Sequence, residues 1–209
     1  MKIPLAKEGF VFIIPLLVVA ILMFLLSFYW VAFFLGLGFL FVTWFFRDPE
    51  RHIPNEPNVI VSPADGKITE IITEKEPING ELCKRVTIFL SVFNVHVNRV
   101  PIAGTIEEIR YNPGKFLAAF NPKASMENEQ NIILINNGKT HVFVKQIAGL
   151  IARRIVCWPK KGDYYESGQR YGLIRFGSRV DILLPETTKL SVTCGDRVSG
   201  GKSIIGYLT

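Results

Sequence analysis

Between Phe10 and Phe46 the chain runs for 37 residues without a charged side chain. A stretch so dense in Leu, Val, Ile and Phe has no stable place on an aqueous surface, and it is far longer than the buried helix of an ordinary domain. It reads as a membrane segment. At about 1.5 Å per residue a single helix would be roughly 55 Å long, against a hydrocarbon core of about 30 Å. Two shorter helices, near Phe10 to Leu26 and Trp30 to Phe46, fit that thickness better, with Ser27, Phe28 and Tyr29 turning at the far interface where aromatic rings are favoured. Lys2 and Lys7 precede the run while Arg47 and Arg51 follow it, and basic flanks favour the cytoplasmic side. The expectation is a helical hairpin over residues 1–46, embedded in the cell membrane with the rest of the chain on the cytoplasmic side. A cleavable signal peptide is the rival reading, but its apolar region is normally far shorter and ends in small residues, which are not found here.

The polar, Pro-rich stretch "RDPERHIPNEPN", residues 47–58, reads as a connector. From Arg47 onward the chain holds 163 residues, with 22 of the 24 Lys and Arg and 17 of the 18 Asp and Glu, a net charge of +5. That is enough chain to bury a substantial core. A mild basic excess beside an anchor suits anionic lipid headgroups. Nucleic acid is the competing partner of a basic chain, but no recognition motif is present and the tether argues against it. Cys83, Cys157 and Cys194 are odd in number and lack Cys-x-x-Cys spacing, so a disulfide framework or zinc site is not expected. They read as three buried small hydrophobes in a reducing compartment.

Short apolar runs with period-2 alternation recur through residues 59–209, among them "KRVTIFLSVFNVHVNRV", "NIILINNGKTHVFVKQI" and "YGLIRFGSRVDILL". Asn137-Gly138 between two such runs is a strong hairpin signal. The domain should be mainly β, and the tail, where Gly195-Asp196 and Gly200-Gly201 bracket a short strand, looks like barrel-sandwich domains of the lipoyl and biotinyl type. That likeness concerns fold alone. Helix is sparse: "GKFLAAF" near Lys115 to Phe120, and more weakly "IAGLIARRI".

Within "RFGSRVD", residues 175–181, Arg175, Arg179 and Asp181 alternate with Phe176 and Val180 as on a strand with one wet face, and Gly177-Ser178 interrupts it. The plain explanation is a β-bulge or a close backbone approach. The chemical alternative is self-processing, in which the Ser178 hydroxyl attacks the Gly177 carbonyl carbon and an ester replaces the amide. Elimination would then leave a dehydroalanine that hydrolyses, with loss of ammonia, to a pyruvoyl group on a new chain 178–209. Glycine before the break lacks the Cβ that would hinder this approach and tolerates a distorted backbone. A hydroxyl needs a base. His52 lies in the connector and His141 follows the Asn-Gly turn, where a cross-strand pairing suits it better than catalysis. His96, in "SVFNVHVNRVPIAG", leads into a Pro-Gly bend where its side chain can project at the rim of a barrel. Asp65 sits in "VSPADGK", which reads otherwise as a hairpin with Asp-Gly at its tip.

The order "SPADG", "FNVHVNRVP", "QIAGLIARRI", "RFGSRVDILLP" resembles the phosphatidylserine decarboxylase proenzymes, a pyruvoyl family. The similarity covers residues 47–209 and also the hydrophobic N-terminus found in short bacterial members. The resemblance implies cleavage between Gly177 and Ser178 into chains 1–177 and 178–209 that stay associated, conversion of Ser178 to the covalent pyruvoyl cofactor, and assistance from Asp65 and His96. It also implies decarboxylation of phosphatidylserine to phosphatidylethanolamine through a Schiff base, as a step of phospholipid biosynthesis. Two departures stand out: Phe176 and Arg179 flank the pair where longer members have Leu-Gly-Ser-Thr, and Arg99 stands where they carry a second histidine. His96 therefore serves cleavage, decarboxylation or both. Arg153, Arg154, Lys160 and Lys161 form a basic cluster that suits either a phosphodiester or a solvated face near an anionic bilayer. A decarboxylase of a related serine-headgroup lipid, and a tethered binding module in which the Gly-Ser pair is inert, remain as alternatives; homo-oligomers are left open, and no metal is expected.

Overall fold

The computed structural model describes residues 4–76, 80–114, 128–149, 154–175 and 177–209. The chain divides into two units, Met1–Glu50 and Arg51–Thr209. In the first, a 3-10 turn at Lys7–Gly9 runs into helix α1, Phe10–Leu25. Ser27, at φ 67°, reverses the chain into helix α2, Tyr29–Phe45. Lys7–Leu25 is long and apolar enough to cross a membrane, whereas Tyr29–Phe45 is a shorter apolar helix. Val11 and Trp30 stand 72% and 78% exposed, so no described protein surface within the unit covers them. The mouth of the hairpin is tied: Ala6 N–H donates to the Phe46 carbonyl at 2.8 Å, Asp48 N–H to that of Pro4 at 2.8 Å, and Leu5 bridges Arg47. Both arms therefore enter and leave on one side. There the Arg47 guanidinium lies 3.8 Å over the Trp44 ring, a pairing suited to the boundary between hydrocarbon and water.

The second unit is built from short antiparallel strands. In chain order they are β1 Val59–Val61, β2 Gly66–Lys75, β3 Leu82–Leu90, β4 Val97–Arg99, β5 Gly104–Asn112, β6 Gln130–Asn136 and β7 His141–Ala148. There follow β8 Ile155–Cys157, β9 Tyr164–Tyr165, β10 Arg170–Ile174, β11 Ser178–Pro185, β12 Lys189–Leu190, β13 Arg197–Val198 and β14 Ile204–Tyr207. Eight of them make one sheet in the order β13-β2-β3-β11-β7-β6-β5-β9, which curls into a half-barrel. Two three-stranded sheets, β1-β14-β12 and β4-β10-β8, complete the fold. Alternation along the large sheet sends Val86 and Ile88, Val142 and Val144, and Val180 and Ile182 to one face, where they join Ile60, Ile205, Tyr171 and Ile174 of the small sheets in a single core.

The unit is mainly β, as its alternating runs imply. The Asn137-Gly138 signal is a four-residue loop in which Gly138 takes φ 85° and Asn136 pairs with His141. Gly195 and Gly201, also left-handed, flank β13. Several expectations change. Pro63 to Asp65 is not a hairpin tip: β1 pairs with β14 and β2 with β3, so the bend passes the chain from one sheet to another. In "IAGLIARRI" the ends belong to β7 and β8, extended rather than helical, while 150–153 lie outside the described residues, as does most of "GKFLAAF". The cysteines are unpaired but not uniformly buried: Cys83 is buried, Cys157 half-buried and Cys194 exposed.

That difference is measurable. Burial pushes the Cys83 thiol up to about 11, with Glu74 and Glu76 adding to the shift, and burial pushes Cys157 up to about 11 as well. Both remain protonated, hence unreactive, at pH 8. A maleimide added to the folded full-length protein at pH 8 should label Cys194 alone, and all three cysteines after denaturation; native labelling at Cys83 or Cys157 would contradict the burial described.

Candidate active site at the Gly177-Ser178 junction

Strand β11 lies between β3 and β7, and its ladder begins at Ser178, which pairs with Leu90 on one side and Ala148 on the other. The Gly-Ser pair therefore stands at the entrance of a central strand rather than inside one. Gly177 takes φ +66°, while a Cβ added there would come only to 3.8 Å of Val92. The glycine is required by backbone conformation, not by crowding. Neither a bulge nor a close approach explains it. Ser178 follows the alternation of Val180 and Ile182 and points inward; it is fully buried, and its Oγ has no hydrogen-bond partner among the described residues. Buried hydroxyls are normally satisfied, so this one is unusual.

The face expected to be wet is not. Asp181 is 1% exposed, and Arg179 grips it with Nε to Oδ1 at 2.6 Å and Nη2 to Oδ2 at 2.9 Å. Charged residues alternate here because they neutralise one another against the outer face of the sheet, beside a small apolar cluster of Cys83, Leu134, Phe143 and Leu183.

His96 is 3% exposed and immediately precedes β4. Its carbonyl accepts from Ile174 N–H at 3.2 Å, which ties it to the end of β10 just before the junction. The ring is held on both sides: Nδ1 lies 2.9 Å from the Asn94 carbonyl, and Nε2 lies 3.2 Å from the Gly177 amide nitrogen. A carbonyl can only accept and an amide N–H can only donate, so the proton sits on Nδ1 and the lone pair of Nε2 faces the junction. The imidazole is in its neutral, basic form, directed at the peptide unit one residue ahead of the serine. Asn94 is itself fixed by its Oδ1, which accepts from Ser91 N–H at 2.9 Å and Ser91 Oγ at 2.8 Å.

Asp65 is buried on the bend before β2, but the structure does not bring it onto His96. Its Oδ2 pairs with Arg51 Nη2 at 2.8 Å and its Oδ1 accepts from Gly200 N–H at 2.7 Å. Its bend is nevertheless joined to the segment carrying His96, because Arg99 N–H donates to the Pro63 carbonyl at 2.9 Å. Arg99 directs Nη1 to the Gly168 carbonyl at 2.9 Å, so a structural cation occupies the position of the second histidine. His141 pairs with Glu107 at 3.0 Å, a cross-strand contact, and His52 is exposed. The basic cluster divides: Arg154 precedes β8 at the junction end, its carbonyl accepting from Arg175 N–H, whereas Lys160 and Lys161 follow the far end of β8. Arg153 lies outside the described residues.

A line of buried amides was missed. Gln146 Nε2 donates to Asn98 Oδ1 at 2.8 Å, and Asn131 Nδ2 to Gln146 Oε1 at 3.2 Å. Gln146 pairs with Val180 in the ladder, so it shares the inward face with Ser178. The signal was present, since Gln146 interrupts the inward series Val142, Val144, Ala148. Asn94 and Arg51 gave none: one acts through its carbonyl and the other sits in a connector.

Fold and site together describe a class: an antiparallel β domain following an apolar hairpin, with a buried serine hydroxyl and an oriented imidazole at the Gly177-Ser178 junction. Residues 39–206 match the family model described as "Phosphatidylserine decarboxylase". Among curated proteins, the "Phosphatidylserine decarboxylase proenzyme" of Syntrophus aciditrophicus is 47% identical over 206 residues, 97% of this chain and 96% of the relative. Those of Geotalea uraniireducens and Desulfotalea psychrophila are 44% and 53% identical, covering 98% and 80% of this chain and 97% and 79% of their own lengths. The chain belongs to the phosphatidylserine decarboxylase family.

Asp65→Ala removes the acceptor of a buried amide and the partner of Arg51, and should lower stability by about 1–3 kcal/mol. Asp65→Asn, which can still accept from Gly200, should lose less. The shift in denaturation midpoint of the full-length protein in detergent measures both; equal losses would mean that the Gly200 bond contributes nothing.

Proposed function

We propose that this chain is a proenzyme that cuts itself between Gly177 and Ser178 and then decarboxylates phosphatidylserine to phosphatidylethanolamine at the membrane, as a step of phospholipid biosynthesis. The observation that carries the reading is the 3.2 Å contact from Gly177 N–H to His96 Nε2, next in sequence to a buried serine whose hydroxyl has no hydrogen-bond partner among the described residues. Attack of Oγ on the Gly177 carbonyl carbon forms an ester and releases the Ser178 amine; in this reading His96 Nε2 exchanges its bond to Gly177 N–H for the hydroxyl proton. Loss of the Cα proton expels the Gly177 carboxylate and leaves dehydroalanine. Uptake of one water and release of ammonia give a pyruvoyl group at residue 178. The residues fit this group: the left-handed glycine leaves space at the carbonyl, and the inward face encloses position 178.

The ketone then supplies an electron sink for loss of carbon dioxide from an amine-bearing substrate. The protein's contribution is to hold that position against Ala148 and Leu90, to exclude water, and to keep a protonatable imidazole, His96, next to it. Asp65 acts at a distance, fixing the bend that borders the His96 segment through Arg51 and Gly200. Phosphatidylserine as substrate is supported by membership of the phosphatidylserine decarboxylase family. The hairpin supports it, since a phospholipid does not leave the bilayer and the basic flanks of α1 and α2 favour anchoring with the soluble unit on the cytoplasmic side of the cell membrane. The surface cations suit anionic lipid. The two pieces stay together because β11 is bonded on both edges to strands of the longer piece.

Mass spectrometry of the purified protein should find fragments 1–177 and 178–209, the second starting with a ketone rather than an amine. Ser178→Ala should give one intact, inactive chain of about the full 23.6 kDa. His96→Ala should slow scission, carbon dioxide release from labelled phosphatidylserine, or both, and timing each step separates the two roles. A fully active preparation with an uncut chain would end the reading.

A further inference from the structure

Arg179 is the residue beside the reacting serine, and its side chain is locked on the opposite face of the sheet. Besides its two-pronged grip on Asp181, its Nη2 donates to Thr87 Oγ1 on β3 at 3.2 Å. The same hydroxyl accepts from Arg85 Nη1 at 3.0 Å, and that nitrogen lies 3.5 Å from Asp181 Oδ2. Arg85 reaches on to Glu70 at 2.9 Å and Glu74 at 3.0 Å on β2. Arg179, Asp181, Thr87 and Arg85 are all buried. The lattice spans three adjacent strands, and Arg179 is the second residue after the proposed break.

Before scission the polypeptide holds residue 178 from both sides. Afterwards residue 178 is a chain end, and ends fray unless tied down. Its own inward side chain can provide no tie, because that is the group being transformed. The next side chain, Arg179, is the first that can. We infer that the Arg179-Asp181-Thr87-Arg85 lattice is a latch for the newly made chain end: it is dispensable for cutting and holds the reactive carbonyl in register during turnover. Arg179 and Thr87 are positioning residues, since they act on position 178 through the backbone and touch neither base nor substrate. A bidentate guanidinium suits this task better than an ammonium, because two parallel bonds fix direction as well as distance. Asp181 serves as the shared anion, so removing Arg179 leaves it facing Arg85 rather than unpaired. The inference rests on the self-cleavage proposed above.

The test uses full-length protein in detergent. Arg179→Met keeps volume but removes one partner of a buried ion pair, a destabilising change that Arg85 beside Asp181 offsets in part, so its folded state is verified by its denaturation midpoint before turnover is read. Thr87→Val keeps shape and deletes only the hydroxyl. Both variants should cut as completely as the wild type, yet release carbon dioxide at least about tenfold more slowly for Arg179→Met, the scale expected when a reacting group is misplaced by a fraction of an ångström to an ångström. The loss should fall in kcat rather than KM, and Arg179→Lys should recover part of it. Hydrogen exchange at residues 179–181 should quicken in cut Arg179→Met but not in the uncut double variant Ser178→Ala/Arg179→Met, compared with Ser178→Ala alone. A merely structural lattice would loosen both. Normal turnover by cut Arg179→Met, equal loosening with and without the cut, or folded variants that fail to cut would each overturn the latch. An uncut wild type would instead overturn the proposed function itself.

Discussion

The imidazole of His96, held between the Asn94 carbonyl and the Gly177 amide, is the contact on which the rest of the site depends. It assigns the proton to Nδ1, directs a lone pair at the peptide unit before Ser178, and joins a turn ahead of β4 to the start of β11. The surrounding structure supports those two bonds: the Ser91-Asn94 turn orients the acceptor, Ile174 fixes the histidine backbone, and left-handed Gly177 presents its N–H. Removing any of them would leave a histidine and a serine near one another without direction.

Much of this was legible in the sequence, and what was not has physical reasons. Period-2 alternation located the strands and set Arg179 and Asp181 on the face opposite Val180, because side-chain direction in a strand is a local property. Alternation does not report what lies opposite a face. Arg179 and Asp181 therefore looked solvated when they are buried against each other and against residues on β3. Nor does a glycine reveal why it is needed: the pair looked like a bulge, and only the φ of Gly177 separates conformational need from crowding. His96 could be singled out by its motif, but its orienting partner is a main-chain carbonyl, which any residue type supplies. Asp65 could be singled out by its motif, but its contacts could not. Its partners, Arg51 and Gly200, lie in a connector and near the end of the chain, and pairings at such separations leave no periodic trace.

The apolar first unit follows simpler physics. With nothing polar in its helices beyond the hydroxyls of Tyr29 and Thr43 and the indole N–H groups of Trp30 and Trp44, α1 and α2 are specified by what surrounds them, and the tied mouth between Ala6 and Phe46 decides only that both arms share a side. Position-specific information is concentrated in the second unit, where His96, Asn94 and Arg179 are each held by particular partners while the Ser178 hydroxyl has none among the described residues.

The placement of β11 has a further consequence. Residues 178–209 supply β11 to the middle of the large sheet, β13 to its edge, and β12 and β14 to a small sheet beside β1. This segment is woven through the domain, not appended to it. On the proposed chemistry, the bond ahead of it can break only after both neighbours of β11 have found their places and His96 has been drawn up to Gly177. Scission then doubles as quality control: a chain that has not completed its topology keeps its backbone whole and never acquires a reactive carbonyl, so misassembled copies in the bilayer are chemically silent.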